Sequence, residues 1–100
     1  MTINLRAPSH KTIITRIRRV ARDDPGVPED AQEGILHAVD AIVDGTSVRF
    51  YIVEGPLGVT FEGHGPSFGV SVGVYDVLLP FVDSYLAGDH YDFPVDIGLV

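Results

Sequence analysis

Residues 48–62 alternate in the manner of β-strands, and this pattern limits the architecture more than any other feature of the chain. Val48, Phe50 and Ile52 interleave with Arg49, Tyr51 and Val53, and Leu57, Val59 and Phe61 interleave with Gly58, Thr60 and Glu62. Neighbouring side chains of a strand point to opposite faces, so a period of two predicts two strands here. The first is apolar on much of both sides and belongs inside a sheet, while the second is half exposed. Gly55-Pro56 between them is a turn signal. Gly63-His64-Gly65-Pro66-Ser67 supplies the next connection, and Phe68, Val70, Val72 and Val74 then alternate with Gly69, Ser71 and Gly73 as a strand with one nearly bare face.

The flanks read differently. A short strand is expected over residues 2–6, with Ile3 and Leu5 on one side. Ser9 suits an N-cap, and Ile13, Ile14, Ile17, Val20 and Ala21 follow one helical face over residues 10–22. Lys11, Arg18, Arg19 and Arg22 fall opposite, with Arg16 on a flank, although the β-branched isoleucines and threonines also favour a strand. A second helix is expected over residues 29–44, with Pro28 at its start and Gly45 as its left-handed cap. Its apolar stripe is Ala31, Ile35, Ala38, Val39 and Ile42, and Glu29, Asp30, Glu33, Asp40 and Asp44 project from the other side. A third helix is expected from an N-cap at Asp76 to about residue 87, ended by Gly88. In the tail, Tyr91, Phe93, Val95, Ile97 and Leu99 alternate with His90, Asp92, Pro94, Asp96 and Gly98, and Pro94 assigns this strand to a sheet edge. The order β-α-α-β-β-β-α-β describes a single α+β domain over residues 1–100, with an antiparallel sheet of about four to five strands and three helices on one face.

A chain of 100 residues can build one core without staples, and with no cysteine it has neither disulfides, a zinc-thiolate site nor a thiol nucleophile. The N-terminus lacks the apolar run of a signal peptide, and no stretch approaches the roughly 18 apolar residues of a membrane span, so a cytoplasmic protein without membrane contact is expected. Charge is strongly segregated. A basic N-terminal segment, residues 1–22, carries +6 and no acid, whereas the acidic body, residues 23–100, carries all 14 acids and only Arg49, for −13, which leaves the whole chain at −7. Such asymmetry bears on electrostatic partners and association rates.

Familiar chemistry is poorly represented. The glycines from Gly55 to Gly73 lie between expected strands, with no Lys-Ser or Lys-Thr pair to receive phosphate. His10, His37, His64 and His90 are scattered, none at the i, i+4 spacing of a helical metal site, and no GxSxG elbow is present. No cofactor, metal or catalytic set is therefore expected. The function expected instead is non-enzymatic. The sequence resembles the small, acidic, cysteine-free domains that prokaryotes and their phages use as stoichiometric inhibitors of the anti-defence or toxin-immunity kind. Its partner would be another protein with a basic groove, docked through Glu29, Asp30, Glu33, Asp40, Asp44, Asp92 and Asp96, with Tyr91 and Phe93 as aromatic anchors. One alternative is a nucleic-acid-binding or regulatory protein using Lys11, Arg16, Arg18, Arg19 and Arg22. Another is a small-ligand protein or enzyme centred on His64 and the Gly69, Ser71, Gly73 strip. Self-association, as in a homodimer, is compatible with all three.

Overall fold

Two tight hairpins build the centre of the sheet. Asp44 and Gly45 both adopt left-handed backbone, with φ of 50° and 83°, and Val43 lies opposite Thr46, which makes Asp44-Gly45 a two-residue turn of the primed kind. Gly55 lies opposite Gly58 across the Pro56-Leu57 turn, and Gly58 has a φ of 115°. In the computed structural model, which describes residues 11–65 and 72–99, the elements run β1 (Lys11–Arg19), β2 (Ile35–Val43), β3 (Thr46–Gly55), β4 (Gly58–Gly65), α1 (Val72–Leu86) and β5 (Val95–Leu99). All five strands form one antiparallel sheet in the order β4-β3-β2-β1-β5. The described residues thus form a single α+β domain of five strands and one helix.

Three helices were expected and one is found among the described residues. Residues 10–22 do not form a basic helix, because Lys11–Arg19 is strand β1. Isoleucine and threonine fit the pleat, and their branched Cβ crowds a helical turn. The acidic helix over residues 29–44 is likewise absent: 20–34 is a loop, and Ile35–Val43 is the central strand β2. A strand buried on both faces reads as a near-continuous apolar run, and such a run also satisfies a helical stripe. Gly45 caps no helix and closes the first hairpin instead. At the other end, Val72 and Val74 open α1, so Val72–Val74 is helix where a strand was expected, and Asp76 is inside the helix and not its N-cap. The expected strand of residues 2–6, and Phe68, Gly69, Val70 and Ser71, lie outside the described residues.

The core sits on one face of the sheet. Ile14 of β1, Val39, Ala41 and Val43 of β2, and Val48, Phe50 and Ile52 of β3 share that face, and α1 lays Val74, Leu78, Phe81 and Val82 onto them. Phe61 and Tyr75 extend the core toward β4 with ring centroids 4.4 Å apart. Loop 20–34 covers part of the opposite face. It buries Leu36, Ala38, Tyr51 and Val53 and is fastened by polar contacts. The Arg22 guanidinium donates to the carbonyls of Ala31, Gln32 and Gly34, the backbone N–H of Gln32 donates to Glu62 Oε1 at 2.7 Å, and the Tyr51 hydroxyl donates to the Pro25 carbonyl at 3.4 Å.

Candidate functional site

α1 carries its buried and exposed residues at separate helical spacings. Val74, Leu78, Phe81 and Val82 face the sheet, while Asp76, Pro80 and Asp83 are exposed on the opposite stripe. The helix stops where glycine was expected to stop it. Gly88, at a φ of 108°, donates its N–H to the Tyr85 carbonyl at 3.1 Å, and Asp89 donates to Ser84 at 3.2 Å, the paired bonds of a Schellman end. The chain then turns back along the helix. Tyr91 stacks on Phe81 at 4.7 Å, and Phe93 meets Tyr85 edge-on at 5.8 Å. The Ser84 hydroxyl donates to the Asp89 carboxylate, which leaves its oxygen to accept from the Tyr91 hydroxyl at 2.7 Å.

β5 completes this side as the sheet edge beside β1, where the tail strand was expected, but it begins at Val95: residues 90–94, Pro94 included, precede it and are not strand. Asp96 on β5 accepts from the Gly98 N–H at 2.8 Å and lies 3.7 Å from the Lys11 ammonium. A groove of about 500 Å³ runs between α1 and β5. One wall is Asp76, Val77, Pro80, Phe81 and Ser84, and the other is Tyr91, Val95, Asp96 and Ile97. Its floor is apolar and aromatic, with an aspartate on each wall.

A larger hollow, about 610 Å³, lies on the other face where loop 20–34 leaves the sheet open. Its charged residues satisfy each other. Arg49 and Asp40 sit directly opposite on β3 and β2, with Nε donating to Oδ1 at 2.6 Å and Nη2 to Oδ2 at 3.4 Å. That hydrogen bond, followed by one to Tyr51, raises the Arg49 guanidinium above its ordinary pKa against the smaller effect of burial. Thr15 Oγ1 donates to the Asp40 carbonyl at 3.1 Å.

The seven acids expected to form one surface fall into separate places. Glu29, Asp30 and Glu33 are exposed on loop 20–34, Asp40 is paired with Arg49, and Asp44 occupies the β2–β3 turn. β2 separates Glu33 from Asp44, and nine residues of strand span about 30 Å. Of the seven, only Asp96 lines the α1–β5 groove, across from Asp76, and Asp92 is exposed in the tail beside His90. Asp76 and Asp83 were missed as surface residues, although their i, i+7 spacing opposite Val74, Leu78 and Phe81 marks them as one exposed stripe. Tyr91 and Phe93 are half-buried against α1 and form the groove's support more than free anchors.

The basic residues are largely engaged within the chain. Lys11 lies beside Asp96, Arg18 lies 4.0 Å from Asp24, and Arg22 holds loop carbonyls, while Arg16 and Arg19 are exposed. His64, expected in the connection after the second strand, is in β4 itself, opposite Phe50, with ring centroids 6.2 Å from Phe50 and 6.0 Å from Phe61. Gly73 lies in the first turn of α1, so the bare strip once drawn through it is not one strand face. Among the described residues no three His, Asp or Glu side chains gather as a metal site, and no helix is long and apolar enough to cross a membrane. Comparison with known proteins returns no match, whether to a family model, a curated protein or a solved structure.

Proposed function

We propose that this chain is a non-enzymatic protein-binding inhibitor, of the anti-defence or toxin-immunity kind, that acts in the cytoplasm by docking an acidic face on a basic groove of another protein. The face is the outer side of α1 with the returning tail and β5. One observation carries this reading: residues 72–99 present Asp76, Asp83, Asp89, Asp92 and Asp96, all exposed, and contain no lysine or arginine. A surface of one sign attracts its complement from a distance and speeds encounter, with affinity supplied where apolar groups are desolvated. Beside these carboxylates, the α1–β5 groove provides such an apolar contact.

The test is partner capture with the intact chain and with an Asp83→Lys, Asp89→Lys, Asp92→Lys variant. All three side chains are exposed, and because Asp89→Lys also gives up the Ser84 hydrogen bond, an Asp89→Asn protein, which keeps an acceptor there, is the folding control whose melting temperature is compared with the variant's. Capture of a basic protein by the parent, lost in the variant and weakened between about 50 mM and about 200 mM salt, is the expected result. Capture indifferent to both the reversal and salt would refute the docking face.

A further inference from the structure

We infer that the α1–β5 groove grips an apolar side chain of the protein partner that is flanked by a lysine or arginine. This inference rests on the acidic-docking reading and specifies its occupant. The groove is large enough for a bound side chain and its neighbours, about 500 Å³, and Val77, Phe81, Val95 and Ile97 give it an apolar interior. Its polar groups are all acceptors or already engaged. Asp76 and Asp96 supply carboxylates, and the Ser84 and Tyr91 hydroxyls are occupied with Asp89 and each other.

Pro80 adds a further acceptor. It lies inside α1 and has no N–H, so the Asp76 carbonyl four residues before it lacks its α-helical donor. The carboxylate of the same residue lines that wall of the groove and is exposed, a charged acceptor open to an incoming donor. An ammonium offers three donors and a guanidinium five, with the positive charge that two aspartates favour. The chain itself illustrates the match, since the Lys11 ammonium already lies 3.7 Å from Asp96 Oδ2 at the groove's edge while remaining more than half exposed. An incoming cation competes with Lys11 there.

The same geometry argues against an extended strand added along β5. Gly98 spends its N–H on the carboxylate of Asp96, and Pro94 supplies none just before β5, so the edge offers an interrupted ladder. The partner enters by side chains.

The experiment is an amide NMR titration of the full chain with three capped peptides, SLRLRS, SLELES and SGRGRS. SLRLRS should shift the Val77, Phe81 and Ile97 signals saturably, and the other two should leave them in place. Asp76→Asn should weaken SLRLRS by about fivefold, the loss of one charge-assisted hydrogen bond, whereas Asp83→Asn, outside the groove, should change it by less than about twofold. Lys11→Gln should leave binding intact or tighten it. Equal binding of SGRGRS would overturn the groove as the gripping element and leave acidic docking standing. Equal binding of SLELES, or no shift with SLRLRS, overturns the inference as well. Groove binding with no loss of partner capture on reversal of Asp83, Asp89 and Asp92 would instead remove the wider docking face and keep the groove.

Discussion

The two faces of the sheet are covered by different physics. On one, α1 presses Val74, Leu78, Phe81 and Val82 onto a continuous apolar floor, and removal of those side chains from water holds the layer in place. On the other, loop 20–34 buries Leu36, Ala38, Tyr51 and Val53 with almost no large side chains of its own, and it stays down because Arg22, Gln32, Tyr51 and Glu62 bind backbone or are bound by it. Helix packing tolerates exchange of one apolar group for another of similar volume. The loop depends on particular donors and on close backbone approach, so its sequence requirements are narrower even though its residues are more exposed.

That contrast can be broken at its strongest point first. Leu78→Ala opens a cavity in the fully buried α1–sheet contact and should cost about 3 kcal/mol in denaturant unfolding, with the whole domain losing stability together. Gly34→Ala comes next, at about 2 kcal/mol: Gly34 has a φ of 144°, and an added Cβ would lie 2.6 Å from both the Glu54 carbonyl oxygen and Val53 Cγ1. Arg22→Met keeps most of the stem and removes the donors. A cost of about 1 kcal/mol is expected, with faster hydrogen exchange and proteolysis in 20–34 and no change at α1. Equal loosening of α1 would mean that the two faces are one cooperative unit and not separately held.

Smaller effects sharpen the picture of the helix-covered face. Thr12 is fully buried there and its hydroxyl has no partner among the described residues, so Thr12→Val should leave stability unchanged or raise it by about 1 kcal/mol. Burial raises the Tyr75 phenol above its ordinary pKa of 10.0. Because the folded form holds that proton more tightly, the stability it provides is complete below pH 10.0 and is lost as pH climbs through the raised value. Tyr75→Phe should flatten the fall in melting temperature above pH 10, and an identical alkaline decline in both proteins would assign the effect elsewhere.

Residues that act locally were legible. The alternation of Val48, Phe50 and Ile52, the turn at Gly55-Pro56 and the helix ending at Gly88 are each decided by a few neighbouring residues, and each appears where it was expected, whereas the tail strand takes the expected edge position but starts after Pro94 and not at His90. Asp44-Gly45 was equally local and was misread, because a left-handed glycine can end a helix as readily as it can turn a hairpin. The Asp-Gly pair between two apolar runs was the signal in favour of the hairpin. The candidate site was legible only in part. Asp92 and Asp96 were expected on the binding side, whereas Asp76 and Asp83 join them only because α1 folds over the sheet and the tail returns along it.

What the sequence determined by itself is therefore the set of local choices: β-branched residues that resist a helix in Lys11–Arg19, glycines that permit positive φ, a proline that denies a donor at the edge, and a second half without lysine or arginine beyond Arg49. Tertiary structure decided the rest. Ile35–Val43 satisfies a helical stripe and a doubly buried strand equally well on paper, and it becomes β2 because β1 and β3 pair with it on both sides while α1 and loop 20–34 cover its two faces. The acids that were one helical face in the sequence are consequently divided among a loop, a paired position and a turn. A period in one chain segment cannot specify which partner buries each side, and in this protein that partner decides both the secondary structure of β2 and the location of the acidic face.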